Sequence, residues 1–286
     1  MVLAGVLVAV AAAAGNAVGS ALQRSASRHH DPADRWWQGL LSLARRPAWL
    51  GGIAAHVVAF ALQAFALTLA PITVVQPVLV AELPFTLLLG ALALGTPLGR
   101  RAWLSVAVMA GGVALFLACL ETDRGGPQAA TAAGWIVGTA VIVVVLTVLT
   151  VLGRAGRGRR RALWFGIAAG VMYGFDAALL AGLGPAYAQG LGGVLTAWQT
   201  YGVLVGGVVS FLYLQQALQA HDLIWAQPGI TLANPIVAVT WGLTVFGEQV
   251  AVDLRLIGLA AGVLAIAGGT VGLTLVRDQI AGRGRR

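Results

Sequence analysis

Two carboxylic acids, Glu82 and Asp176, lie inside long apolar stretches of the chain, where ionisable side chains are rare. A charged side chain at the centre of a bilayer costs at least about 2.5–3.5 kcal/mol on insertion scales, so a purely structural role for either acid is expensive. Acids at such a depth are typical of proton relays and ion pathways. Both are therefore candidates for coupling proton binding to substrate binding, or for holding a divalent cation if one is carried.

Uncharged polar side chains recur along the same apolar stretches. Gln227, Thr231 and Asn234 follow i, i+4 and i+7 spacing, which places them on one face of a helix. Such groups also bond neighbouring membrane helices together, so a packing role stays open for each of them. Besides the two acids, the candidate residues for binding a substrate or ion are Asn16, His56, Gln63, Gln76, Gln227, Thr231 and Asn234.

Four prolines accompany these polar residues, namely Pro77, Pro84, Pro228 and Pro235. A proline inside a helix removes the hydrogen bond to the carbonyl four residues back. Within lipid, that carbonyl must be satisfied by the protein or by water in a cavity. We expect helix kinks at these prolines, in helices that line a central cavity. Static packing kinks are the alternative.

The elements that position these residues follow from composition. Hydrophobic residues make up 59% of the 286 positions and charged residues only 10%, whereas soluble domains carry about 25% charged residues. Apolar runs of about 20 residues are long enough to cross a hydrocarbon core as helices. The sequence therefore predicts an all-α, polytopic membrane bundle. Its nine spans, numbered in chain order, are 2–22, 48–69, 72–94, 102–120, 133–153, 162–182, 194–214, 223–246 and 255–275.

The arginines predict the orientation of this bundle. With nine spans, sixteen of the 18 basic residues fall on one side of the membrane, and only Arg124 and Arg255 fall on the other. Cytoplasmic loops are enriched in basic residues. We therefore expect a cell-membrane protein, plasma or inner, with its N-terminus outside and its C-terminus in the cytoplasm. The same placement explains the net charge of +8 without nucleic acid as a partner.

An internal repeat is visible when the sequence is shifted by 151 residues. Residues 51–92 then align with residues 202–243 with ten identities in 42 positions, and both copies contain Gln-Pro, six residues and Pro. Equivalent spans are five apart, so the second copy enters the membrane inverted. The predicted units are residues 1–120 with spans 1–4, residues 121–161 with linker span 5 and a basic loop, and residues 162–286 with spans 6–9 and a basic tail.

Inverted repeats that meet at the bilayer midplane are common in secondary transporters. The leading hypothesis is a carrier that moves a small solute, metabolite or drug-like compound by alternating access, with proton coupling through Glu82 and Asp176. A non-transporting scaffold or accessory subunit is an alternative from another class. We expect no enzyme activity and no cofactor, because the sequence contains no HExxH or GxSxG motif. The expected partners are the lipid bilayer and the carried solute or ion, and a homodimer stays open.

The Gln-Pro segments also resemble those of a known family. Ala70–Pro77 with Glu82-Leu83-Pro84, and Ala226–Pro228 with Asn234-Pro235 and Phe246-Gly247-Glu248, are similar to the drug/metabolite transporter superfamily, including EamA-like members. Within it, the chain looks closest to NIPA-type magnesium transporters. The resemblance implies the same inverted-repeat fold and offers magnesium or another divalent cation as an alternative substrate.

Two departures from that family bear on the substrate. The first repeat has Gly95-Thr96 where the superfamily has a helix-ending Gly-Glu. The Gly-Glu-x-x-Asn segment of NIPA-type proteins corresponds here to Ala59-Phe60 with Gln63, so its acid is missing. Mg²⁺ prefers carboxylate and carbonyl oxygens with retained water, and the predicted membrane interior offers only Glu82 and Asp176 as acids.

Overall fold

The chain folds into a bundle of long helices. The computed structural model describes residues 1–27, 46–94, 98–120, 125–220, 223–248 and 255–283. Across these ranges every regular element is helical, which confirms the predicted all-α class. In chain order, the α-helices α1 to α12 are Val2–Ser27, Pro47–Leu69, Ile72–Leu79, Glu82–Leu94, Arg100–Cys119, Ala132–Ala155, Arg159–Gly182, Gly184–Tyr187, Gly190–Thr196, Trp198–Ala220, Leu223–Thr244 and Arg255–Arg283.

Seven apolar segments of the described chain are long enough to cross a membrane. They coincide with predicted spans 1 to 7, and the third combines α3 and α4 into Ile72–Leu92. Predicted span 8 is α11, and span 9 is α12 with the shorter apolar segment Ile257–Leu273. The chain is therefore a multi-pass helical membrane protein whose outer surface contacts lipid.

The four prolines behave differently in the two Gln-Pro segments. The first segment is interrupted at Val80 and Ala81, immediately before Glu82 and Pro84, so span 3 becomes two helices. The carbonyls of Val80 and Ala81 still accept hydrogen bonds from the amides of Leu83 and Phe85, at 3.1 and 3.3 Å. In contrast, α11 continues as one helix through both of its prolines.

Helix α7 occupies the centre of the bundle. It is buried along most of its length and packs against α6, α10 and α11, while α1 pairs with α2 and α5 pairs with α12. The short helix α3 contacts α1, α7 and α11. Because α7 touches partners on several sides, its polar side chains face other helices and lie away from lipid.

Glycines allow α7 to approach α11 backbone to backbone. A Cβ placed on Gly166 or on Gly170 would lie 2.6 Å from the carbonyl oxygen of Ala226 or of Ile230. A Cβ on Gly174 would lie 2.5 Å from the carbonyl oxygen of Asn234. Glycines at every fourth position of α7 therefore mark the contact line between these two helices.

Some sequence predictions fall outside the described residues. They include the Gly95-Thr96 departure, Arg124 and several of the loop and terminal arginines. Helix α1 extends beyond the predicted end at residue 22, and the helix of span 7 begins at Trp198 after the separate short helix α9. The end of α1 moves because that helix continues past the hydrophobic segment into polar sequence.

Candidate functional site

Asp176 is held between α7 and α10. Its Oδ2 accepts a hydrogen bond of 2.7 Å from the hydroxyl of Ser210. Its Oδ1 is buried without a hydrogen-bond partner among the described residues, and it lies directly against the Cα of Gly206. One oxygen is therefore fixed by a neighbouring helix, whereas the other remains an acceptor that a proton or a bound solute could satisfy.

Glu82 is positioned by the interruption in the first Gln-Pro segment, because it begins α4 directly after the break. The hydroxyl of Ser20 on α1 lies near its carboxyl group. Tyr173 on α7 lies close enough to interact electrostatically with both Glu82 and Asp176. The structure thus brings the two predicted acids to one region of the bundle, each within electrostatic range of Tyr173.

A groove of about 440 Å³ opens between α1 and α2. Asn16, His56 and Gln63 line it, so the fold brings three of the predicted polar residues together. The Nδ1 of His56 lies 3.3 Å from Oδ1 of Asn16, a hydrogen bond whose proton position depends on the imidazole tautomer. The ring packs over Gly19, where a Cβ would lie 2.9 Å from its Nε2.

Helix α1 connects the groove with the two acids. Asn16 contacts His56, and Ser20, one helical turn further along α1, lies near Glu82. A succession of polar groups therefore crosses α2, α1, α4, α7 and α10. We call it the polar path, and its residues are His56, Asn16, Ser20, Glu82, Tyr173, Asp176 and Ser210.

The remaining predicted residues lie beside this path. On α11, Nε2 of Gln227 donates to Oγ1 of Thr231 at 3.2 Å, as the i, i+4 spacing predicts. The Asn234 carbonyl lies against Gly174, next to Tyr173 in the chain. Gln76 is only 2% exposed on α3. The side-chain atoms Nε2 of Gln76 and Oδ1 of Asn234 are buried without a hydrogen-bond partner in the described structure. Buried polar atoms of this kind are costly unless water or a ligand satisfies them.

Aromatic rings cluster at the end of the bundle opposite the arginine-rich α6–α7 turn. Trp135 contacts Trp198 edge to face at 4.9 Å between centroids, Trp241 at 5.2 Å and Phe246 at 5.8 Å. Phe175 adds a further contact, with Trp241 at 5.0 Å. The amide of Gly126 donates to the carbonyl of Phe246 at 2.8 Å, so the loop before α6 is tied to this cluster.

A buried acid outside the predicted set, Glu248, lies at the same end of the bundle as the aromatic cluster. Glu248 is 4% exposed, and its two carboxylate oxygens accept hydrogen bonds from the amides of Ile72 and Thr73 at 3.1 and 3.2 Å. It therefore caps the N-terminus of α3, where amides lack helical acceptors and negative charge is favoured. Burial raises the pKa of the Glu248 carboxyl, and the hydrogen bonds from Thr73 and Ile72 oppose that rise.

Sequence reasoning left four members of this arrangement out of its candidate set. Ser20 stands four residues after Asn16, and Tyr173 stands three residues before Asp176, so helical spacing was an available signal for both. Ser210 and Glu248 had no local signal for their contacts, since their partners are 34 and more than 170 residues away. Among the residues described, no three His, Cys, Asp or Glu side chains form a group that could hold a metal ion.

Comparison with known proteins gives one substantial relative. An uncharacterized protein of Corynebacterium glutamicum is 29% identical to this chain over 250 residues, which cover 86% of each chain. No family model matches the chain, and no solved structure matches it. The relative's name assigns no activity that could be carried over. Helix lengths and composition together identify the chain as a multi-pass helical membrane protein.

Proposed function

We propose that this protein is a secondary transporter that moves a small solute by alternating access, with proton coupling at Glu82 and Asp176. The polar path is the observation that carries the proposal. It places two acids and a tyrosine between α1, α2 and α4 on one side and α7 and α10 on the other. A non-transporting scaffold has no need for acids at this depth, because each costs energy to insert.

The helix contacts support the proposed nine-span layout of two inverted four-span repeats with α6 as the linker. The pair α1 with α2 corresponds to α7 with α10, and the contact of α1 with α3 and α4 corresponds to α7 with α11. The remaining pairs are α3 with α11 and α5 with α12. Exchanging the two repeats would map each of these pairs onto itself. Such equivalence is what a two-fold axis in the membrane plane requires.

In the proposed orientation, the aromatic cluster and Glu248 close the extracellular end. The groove between α1 and α2 lies toward the arginine-rich end, which the positive-inside rule places in the cytoplasm. This arrangement corresponds to the inward-facing state of an alternating-access cycle. Asn16, His56 and Gln63 would contact the solute, and Gln76, Gln227 and Asn234 would complete its site in other states of the cycle.

Flux measurements in proteoliposomes test the proposal. The purified protein is reconstituted with a pH-sensitive dye inside the vesicles, and a panel of small solutes is added with wild type, Glu82→Gln and Glu82→Asp in parallel. We expect solute-dependent proton flux in wild type, none above empty vesicles in Glu82→Gln, and partial flux in Glu82→Asp. The shorter acid keeps a group that titrates, whereas the amide does not.

Separate vesicles that contain a Mg²⁺ indicator distinguish the divalent-cation alternative. Mg²⁺ entry that depends on Glu82, without solute-dependent proton movement, would replace the proposed substrate class with a divalent cation. Binding of a solute without flux of any kind would favour the scaffold. Equal proton flux in wild type and Glu82→Gln would remove the coupling role of this acid.

A further inference from the structure

A second cavity lies at the arginine-rich end, away from the polar path. Its volume is about 350 Å³, and it is formed where the end of α6 and the start of α7 meet the end of α10. Polar and aromatic side chains line most of it, namely Thr150, Arg154, Arg161, Phe165, Tyr213 and Gln216. We propose that this cavity binds the headgroup of an anionic phospholipid.

The interior of the cavity is preorganised around Arg161. Its guanidinium donates to Oε1 of Gln216 at 3.1 Å and lies 5.5 Å from the centre of the Phe165 ring. Phe165 stacks with Tyr213 at 6.3 Å, and the Tyr213 hydroxyl lies 2.8 Å from that of Thr150. These contacts hold the arginine in place, so less conformational entropy is lost when an anion binds.

Within the described residues, no acid compensates the charge of the cavity. Arg154 and Arg161 form no ion pair in the described part of the chain, where the acids with described side chains are Glu82, Asp176 and Glu248. The Nε of Arg161 is buried and has no hydrogen-bond partner there. An arginine fork of this kind matches the oxygens of a phosphate group.

The position of the cavity indicates a lipid as the source of that phosphate. Arg154 is in the last turn of α6 and Arg161 in the first turn of α7, so both lie at the ends of membrane-spanning helices, where headgroups are the expected neighbours. The lining residue Leu212 is 57% exposed and continues into the exposed apolar side chains of Val208 and Phe211. An acyl chain could follow this surface while the phosphate contacts the arginines.

Lipid titration of the delipidated, full-length protein tests this inference. Native mass spectrometry in a nonionic detergent would follow binding of dioleoylphosphatidylglycerol, with dioleoylphosphatidylcholine as the neutral comparison. The variant Arg154→Gln/Arg161→Gln is compared with Arg157→Gln/Arg160→Gln, which removes the same charge from the same turn outside the cavity lining. We expect roughly thirtyfold weaker phosphatidylglycerol binding in the first variant, since each basic residue near an anionic lipid contributes about 1 kcal/mol.

A second variant keeps the charge and removes the space. Val209→Trp places an indole in the cavity, and we expect it to abolish preferential phosphatidylglycerol binding while wild-type helicity is retained. Equal loss in the two double-glutamine variants would overturn the proposal in favour of general surface electrostatics. Competition by millimolar inorganic phosphate against the lipid would overturn it in favour of a soluble anion.

Discussion

At the scale of single residues, the environment of Asp176 depends on the absence of a side chain opposite it. Ser210 fixes one carboxylate oxygen, and the other oxygen rests against Gly206 on the same helix as Ser210. The acid can occupy this place only because Gly206 has no Cβ. A glycine on α10 thereby determines where an acid on α7 lies.

Gly206→Ala should therefore displace Asp176 and destabilise the protein. The added methyl group would collide with the carboxylate, and overpacking of this kind costs about 1–3 kcal/mol. The measurement is the thermal unfolding midpoint in detergent together with solute-dependent proton flux, and both should fall. Gly207→Ala is the matched control, because a Cβ on the adjacent glycine would meet nothing within 4 Å. Equal effects of the two substitutions would contradict this explanation.

At the scale of elements, α3 is an eight-residue helix whose start is stabilised from far along the chain. Glu248 supplies both acceptors to the amides of Ile72 and Thr73. An isolated helix of that length would not be stable alone. Its position therefore depends on the segment that follows α11.

Glu248→Ala should lower stability by about 1–3 kcal/mol, because two buried amides would lose their acceptors. Thr131 caps α6 through the amide of Gly134 at 3.0 Å, but it is exposed, so water can replace its hydroxyl in Thr131→Ala. Thermal unfolding of both variants should show the larger loss for Glu248→Ala. A larger loss for Thr131→Ala would show that the Glu248 cap contributes little.

The elements also show which features a sequence can predict. Helix positions could be predicted because hydropathy is a local property, and the interruption before Glu82 has a local sign in Pro84. The continuity of α11 through Pro228 and Pro235 could not be predicted from the sequence, because close packing on α7 holds that helix together. The contacts of Asp176 with Ser210 and of Glu248 with α3 join distant segments, and no periodicity encodes such pairings.

At the scale of the whole molecule, the arginine distribution predicts which end faces the cytoplasm. A cysteine-free background, with Cys119→Ala, allows single cysteines to be placed at Gln189, just after α8, and at Arg157, just before α7. Both residues are exposed, and they lie beyond opposite ends of this span. In intact cells, a membrane-impermeant maleimide should label Gln189→Cys, whereas Arg157→Cys should be labelled only after the membrane is opened. The reverse pattern would invert the proposed orientation.

The glycine contact between α7 and α11 has a mechanical consequence. Where carbonyl groups pack directly on glycine backbones, no side chains separate the two helices. Sliding of one along the other would therefore require them to move apart. In the proposed transport cycle, α7 and α11 would therefore move together as one rigid unit, and α1 with α2, which meet through Gly19 and Gly52, as another. Relative motion would then occur at the boundary between the two units, which the polar path crosses. Binding or release of a proton at that boundary would change the attraction between the two units. The proposed proton step and the proposed conformational change would then occur at the same place.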